Sequence, residues 1–309
     1  MRFPWSLVIS LPIFIASDCF AKEIYMPLIS KGYQHQFWQA VKKGADEAAR
    51  KYNVKITFDG PETEQQVDKQ VDMIMAALAK KPDAIGLAAL DSKAVIPLLK
   101  QAQKQKIPII AFDSGVDSDI VKTTAQTDSK AAAALAADMM AKKIGKGYVG
   151  VVCHDQTSTT GVDRRDGFVN RIKEKYPQIK VVDIQYGGGD HLKSADIAKT
   201  MVLAHPKLKG IFGTNEGSAI GVGKGIKELK KKGLIIIGFD SGKDQINLIK
   251  NGVIEGAITQ NPVGIGFKTV ESAVMILKGQ KVAKVIDTGF YYYDKNNLKD
   301  PKIADVLYE

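Results

Sequence analysis

Short, almost wholly apolar runs alternate with amphipathic stretches along nearly the entire chain. Ile24–Ile29, Val54–Phe58, Ala84–Ala88 and Pro108–Phe112 read as strands buried on both faces, as in parallel sheets. Between them, Phe37–Tyr52, Glu64–Lys80 and Ala94–Gln105 repeat apolar residues at helical spacing. A polar stretch at 117–128, holding the short strand Val121–Ala125, interrupts the series. A second series follows. Strands Tyr148–His154, Val181–Gln185, Leu208–Gly213 and Leu234–Phe239 alternate with helices Asp128–Ile144, Gly161–Tyr176, Leu192–His205, Ser218–Lys232 and Asp244–Asn251. Repeated strand–helix units give parallel sheets covered by helices on both faces. The midpoint break and the likeness of the halves predict an α/β fold of two similar doubly wound parallel-sheet domains, not one closed barrel. Periods typical of short repeat arrays are absent.

Open α/β sheets bind ligands beyond the carboxyl ends of their strands. Those ends carry Lys31, Asp91, Asp113, Asp155, Asn215 and Asp240. Two facing sheets would gather these groups around one cleft.

The amino terminus departs from the alternating pattern. Arg2 precedes an apolar run at 7–16, and Cys19-Phe20-Ala21 places small residues at −3 and −1 before Lys22 and Glu23. This is the layout of a secretory signal peptide over 1–21, cleaved after Ala21. Asp18 before Cys19 is a poor fit to the small residue that lipidation favours. The run is shorter than the ~20 residues of a membrane span, and no later run reaches that length. The composition, 45% hydrophobic and 25% charged, is that of a packed globular protein. Beyond the signal, Cys153 is the one cysteine, so no internal disulfide is expected. Its apolar setting in Tyr148–Cys153 marks it as a small buried residue. The net charge of +10 comes from lysines such as Lys42, Lys43, Lys104, Lys106 and Lys230 to Lys232, which alternate with apolar residues at helical spacing. These are solvated helix faces. No interleaved aromatics or recognition motif accompany them, so nucleic acid is not an expected partner.

Motifs for cofactor, metal or covalent chemistry fail on context. Gly145-Lys-Gly147-Tyr-Val-Gly150 precedes its strand, so its amides cannot cradle a phosphate. Gly221-Val-Gly223-Lys224 is followed by Gly225, where a P-loop needs a hydroxyl. Asp113 to Asp119 lacks the ligand order of a calcium loop. His35, His154, His191 and His205 lack metal-ligand spacing. Serines follow Asp91, Asp113 and Asp240, but none lies in a nucleophile elbow. No enzyme activity, cofactor or metal is expected.

Several short motifs stand in a consistent order: Phe37-Trp38-Gln-Ala-Val-Lys-Lys-Gly44, Leu90-Asp91-Ser92, Ile107-Pro108-Ile-Ile-Ala-Phe-Asp113, Arg164-Arg-Asp-Gly167-Phe168, Ala204-His205-Pro206, Thr214-Asn215-Glu216 and Gly238-Phe239-Asp240. In this order, from Ile24 to near Tyr293, the chain resembles the periplasmic sugar-binding proteins of ABC transporters, in the ribose- and galactose-binding group. The resemblance implies two doubly wound lobes joined by a three-segment hinge. One lobe would comprise 22–126 plus 262–288 and the other 127–261 plus 289–309. The crossings would lie at Gln126-Thr127, Gln260-Asn261 and Thr288-Gly289. It further implies an exported, periplasmic monomer that binds a monosaccharide or related polyol and passes it to a membrane ABC permease.

The resemblance places Phe37, Trp38 and Phe239 as ring platforms for the sugar. Asp113, Arg164, Asn215, Asp240 and Gln260 match its hydroxyl-binding set. Phe37 and Trp38 adjoin at a helix start, so they are not expected to face one core together. Arg164 belongs to the run 163–166, which on spacing alone also fits an exposed salt-bridged turn. Asp240 also fits a cap for the following helix.

Departures from the ribose pattern concern the pocket. Lys31 replaces a small hydroxyl residue, His35 and Ala88 replace amides, and Ser114 replaces an arginine. Gly189 falls where an aromatic usually packs, and Asp155 adds a carboxylate. Together they imply a differently charged pocket and a sugar other than ribose. Lys31 also resembles the lysine of autoinducer receptors of this fold. That makes a signal receptor, reporting to a chemoreceptor or sensor kinase, the alternative reading. An exported hydrolase or isomerase is the third.

Overall fold

The structure, a computed structural model, describes residues 23–308. The expected signal segment at 1–21 lies outside those residues. Strands β1 (Ile24–Ile29), β2 (Val54–Asp59), β3 (Ile85–Leu87), β4 (Ile109–Phe112) and β5 (Thr123–Gln126) build one sheet, with helices α1 (Gln36–Tyr52), α2 (Val67–Ala79) and α3 (Ile96–Lys104) between them. Strands β6 (Gly147–Cys153), β7 (Ile179–Tyr186), β8 (Leu208–Gly213), β9 (Ile235–Phe239) and β10 (Gly256–Gln260) build a second. Its helices are α4 (Ser129–Ile144), α5 (Thr159–Lys175), α6 (His191–Ala204), α7 (Glu216–Glu228) and α8 (Lys243–Lys250). The chain then returns to the first sheet. Helix α9 (Pro262–Leu277) packs on α1, and β11 (Val285–Asp287) pairs with β5. Finally β12 (Phe290–Asp294) joins β10, and the short α10 (Pro301–Ala304) follows.

The strand orders are β11-β5-β4-β3-β1-β2 and β12-β10-β9-β8-β6-β7, so the same winding occurs twice. One pairing departs from the expected all-parallel sheets: β12 runs antiparallel to β10. Each sheet is buried on both faces. In the first, α1 and α9 cover one face through Val41, Ala45, Ile265 and Val270, while α2 and α3 cover the other through Ile74, Leu78 and Leu99. In the second, α4 and α5 oppose α6, α7 and α8. Two-sided burial is why the strands read as continuous apolar runs. Cys153 is buried in this core, and burial pushes its thiol up to about 12. That makes it a packing residue without thiolate chemistry.

Elements after Asn251 escape the sequence pattern for physical reasons. β10 begins on a glycine, and β11 is three residues long. α9 carries Gly264 and Gly266, each costing about 1 kcal/mol in a helix interior relative to alanine. The contact explains Gly266: a Cβ there would stand 1.9 Å from the Val41 carbonyl oxygen of α1. Gly44 of α1 faces the Val263 oxygen at the same distance. Helix–helix contact this close needs glycine on both sides. α2 begins at Val67, three residues after the expected Glu64, and this leaves Glu64 in a loop.

Candidate functional site

The loops after β1, β2, β4, β8, β9 and β10 all leave the carboxyl ends of their strands toward the space between the two sheets. There they line one tightly closed cavity of about 10 Å³. The first sheet supplies Lys31, His35, Phe37, Trp38, Glu64 and Asp113, and the second supplies Arg164, Asn215, Asp240 and Gln260. The doubly wound order puts a topological switch point in each sheet, between β1 and β3 and between β6 and β8, and ligands bind at such points.

Arg164 projects inward from α5, whose first turn is capped by Ser158 accepting from the Gly161 amide. Its Nη1 donates to the Thr214 carbonyl at 2.9 Å, and its guanidinium lies 3.8 Å above the Phe239 ring. Nη2 stands 3.8 Å from Asp113 Oδ1 across the cleft. Its neighbours in sequence behave differently: Arg165 pairs with Asp166 at 2.7 Å on the partly exposed side. The run 163–166 thus combines a buried arginine with a surface ion pair.

Lys31 also crosses the cleft. Its Nζ donates to Thr160 Oγ1 of α5 at 2.9 Å and lies 3.6 Å from Asp113 Oδ2. Burial pulls its ammonium down, but the carboxylates of Glu64, Asp113 and Asp155 outweigh burial and raise it. Asp113 shifts the opposite way for a paired carboxylate: burial raises it more than Lys31 and Arg164 lower it. The geometry decides for ionisation at neutral pH, because two cations stand within 4 Å of one carboxylate. Both distances exceed a hydrogen bond, so these charges face one another across a gap.

Glu64 bridges the lobes at the other end. Oε1 accepts from the Trp38 indole at 2.9 Å and Oε2 from Asn215 Nδ2 at 3.3 Å. Burial raises its carboxyl, but Lys31, His35 and the Trp38 hydrogen bond outweigh that and hold it low. His35 is pushed down to about 4, first by burial, with Glu64 opposing, so it is neutral at pH 7. Asp240 accepts from Gln260 Nε2 at 2.7 Å and from the Glu216 amide at 2.9 Å. It does not cap α8, whose N-cap is Gly242.

Among the described residues, three buried side-chain atoms of cavity-lining residues have no hydrogen-bond partner: His35 Nδ1, Arg164 Nε and Gln260 Oε1. Buried polar groups are almost always hydrogen-bonded, so unpartnered atoms on three lining residues make those residues candidates for ligand contact.

Eight of the ten residues expected from sequence line the cavity. Phe239 does not; its ring lies beneath Arg164 and supports the guanidinium. Asp155 does not either. Its carboxylate is spent on the Thr157 and Ser158 amides and the Ser158 hydroxyl, at 2.9, 2.8 and 2.7 Å. Asp91 likewise closes its own turn on Lys93 and Ala94. Phe37 and Trp38 face the cavity and also share one core cluster, contrary to the expectation that one core could not take both. Their rings meet edge to face at 4.9 Å, which lets adjacent residues pack on the same core. The sequence does not single out Glu64, because its position reads as the start of a helix. The sequence marks His35 only as a departure from the ribose pattern. Gly189, at φ +68°, lies over this end, where a Cβ would come within 3.2 Å of Glu64 and His35.

Comparison with known proteins fits this geometry. A solute-binding protein from Agrobacterium vitis with bound D-fucose is 35% identical, with a TM-score of 0.89, covering 92% of this chain and all of its own. One from Agrobacterium radiobacter in complex with D-arabinose is 32% identical, also at TM-score 0.89, covering 93% and 100%. The ribose import binding protein of Bacillus subtilis is 25% identical over 301 residues, 93% of this chain and 97% of that one. The periplasmic binding protein domain profile matches residues 24–281. The chain therefore belongs to the periplasmic binding protein family.

Proposed function

We propose that this protein is the sugar-binding component of an ABC importer. It closes its two lobes on one neutral monosaccharide or related polyol and passes it to a membrane permease. The observation that carries this reading is the convergence of unpartnered polar atoms and two aromatic rings on one small cavity. A sugar hydroxyl both donates and accepts, so it can satisfy Arg164 Nε, Gln260 Oε1 and His35 Nδ1 in turn. Charged partners such as Asp113 and Arg164 strengthen these bonds about twofold over neutral ones. The rings of Phe37 and Trp38 meet the sugar's C–H face. Three lining carboxylates, Glu64, Asp113 and Asp240, outnumber the cations Lys31 and Arg164. That balance favours neutral sugars over acidic or phosphorylated ones.

The hinge is assigned to Gln126-Thr127, Gln260-Asn261 and Thr288-Gly289, where the chain passes between sheets. Export through the 1–21 signal and a periplasmic monomer complete the reading. Among the described residues no helix is long and apolar enough to cross a membrane. Lys31, the residue behind the signalling alternative, is engaged by Thr160 and Asp113 inside the cleft. It gives that alternative no separate support.

The test is calorimetric titration with D-ribose, D-arabinose, D-fucose and their uronic-acid and phosphate counterparts. Binding of a neutral sugar at micromolar Kd, about −8 kcal/mol, is expected, with acidic forms at least tenfold weaker. Preference for an acidic form, or no sugar bound, contradicts the proposal.

A further inference from the structure

Helices α4, α5, α6, α7 and α9 each carry their own N-cap, from Asp128, Ser158, Asp190, Asn215 and Asn261. Two helices that meet at the cleft do not. At α1, His35 makes no side-chain cap, and the first turn has no acidic residue. At α8, the N-cap is Gly242. Both are capped from the opposite lobe. Glu216, the first residue of α7, accepts from the Gln36 amide through Oε1 and from the Phe37 amide through Oε2, each at 3.1 Å. In return, Gln36 Oε1 of α1 accepts from the Lys243 amide, the first of α8, at 2.7 Å. Helix amino termini expose amides that need acceptors.

The exchange depends on one glycine. A Cβ at Gly242 would stand 2.7 Å from the Glu216 carboxyl carbon and 3.1 Å from Gln36 Oε1. Its φ of −63° suits any residue, so glycine is present for space and not for backbone conformation. The exchange also touches the cavity walls. Glu216 holds the amide of Phe37, and its own amide is held by Asp240. Glu216 itself does not line the cavity.

We propose that Glu216 and Gln36 form a latch of reciprocal helix caps that holds the lobes closed behind the sugar. Opening the cleft strips the acceptors from both helix starts at once. The latch therefore slows release of a bound sugar while leaving its entry unaffected. The kinetic half of this inference rests on the sugar-binding reading; the conformational half does not.

The experiment has two arms, each comparing wild type with Gly242→Ala, Glu216→Ala, Glu216→Gln and Gln36→Ala. In the first, spin labels at Met75→Cys on α2 and Leu203→Cys on α6, both exposed, report the interlobe distance without sugar. Gly242→Ala and Glu216→Ala should move the distribution toward the open form, with Glu216→Gln, which keeps one carbonyl acceptor, between them and wild type. In the second, stopped-flow Trp38 fluorescence measures D-arabinose, D-fucose and D-ribose kinetics. Gly242→Ala, Glu216→Ala and Gln36→Ala should each dissociate faster, the first two about tenfold, the scale of losing one or two helix caps, with association unchanged. Unchanged dissociation in variants that still bind these sugars overturns the latch and leaves the sugar reading standing. If wild type binds none of them, the sugar reading falls, and the distance distribution alone decides. A distribution identical in all five proteins overturns the latch.

Discussion

Asp113 and Asp240 occupy the same station in the two sheets. Each follows a fully buried phenylalanine at the end of its strand, Phe112 in β4 and Phe239 in β9. Each adopts a positive φ, 56° and 76°, in a region that non-glycine residues seldom enter. Each places its amide on the neighbouring strand, Asp113 on Ala125 at 2.9 Å and Asp240 on Ile258 at 2.6 Å. The turn swings both carboxylates into the cleft, where Arg164 influences both. Backbone conformations of this kind cost of order 1 kcal/mol each and persist where a site needs them.

The first prediction follows from this pair. Arg164→Ala leaves Asp113 and Asp240 buried without their shared cation, and Asp240→Ala leaves Gln260 Nε2 and the Glu216 amide without an acceptor. Each change should weaken sugar affinity tenfold or more in calorimetry, a loss of at least about 1.4 kcal/mol. Unaltered affinity in both variants removes these residues from the site.

Trp38 serves the core and the cavity together. Its side chain is 1% exposed, and its indole nitrogen donates to Glu64. Trp38→Ala should cost about 3–5 kcal/mol in urea unfolding as well as abolishing binding. Trp38→Phe should retain most of the stability but weaken binding, because Glu64 loses its indole donor. Full affinity in Trp38→Phe would exclude the Glu64 contact from the binding geometry.

Much of this arrangement is legible in the sequence, for a definite reason. Buried parallel strands write themselves as apolar runs, and the fold fixes the strand ends as the site. Asp113, Asn215, Asp240 and Lys31 therefore follow from position. What escapes is whatever depends on a loop's path. Glu64 looks like the first residue of a helix, and only the loop at 60–66 shows that it reaches the indole of Trp38. Asp155 has the right position but closes its own turn, a choice between local and long-range partners that spacing does not encode. Gly266 of α9 helps hide a helix because it serves the contact with α1.

Stability should depend on pH through two opposed groups. Burial holds His35 at about 4 against its usual 6.5, so the unfolded chain binds a proton the folded one resists. Stability is then full above 6.5 and falls toward pH 4, by about 3 kcal/mol for this one residue. His154, lowered chiefly by burial, adds in the same direction. Glu216 acts oppositely. Burial and then the Asp240 charge raise it to about 8, with Glu64 adding and the Gln36 and Phe37 amides opposing. Tyr293 and Tyr308 also lie within its electrostatic reach. Its contribution is full below 4.5 and is lost as pH rises through 8. Thermal unfolding should give the highest Tm near about pH 6, with Glu216→Gln flattening the alkaline side and His35→Gln shrinking the acid side. A flat profile from pH 5 to 8 contradicts these assignments.

The central claim is that one neutral sugar occupies the cleft between the two sheets. A crystal structure of the protein grown with whichever of D-ribose, D-arabinose or D-fucose binds tightest tests it most directly. The account predicts a single sugar ring against Phe37 and Trp38, with hydroxyls on Asp113, Arg164, Asp240 and Gln260. A sugar bound elsewhere, or bound in the cleft without contact to Asp113 and Asp240, contradicts it.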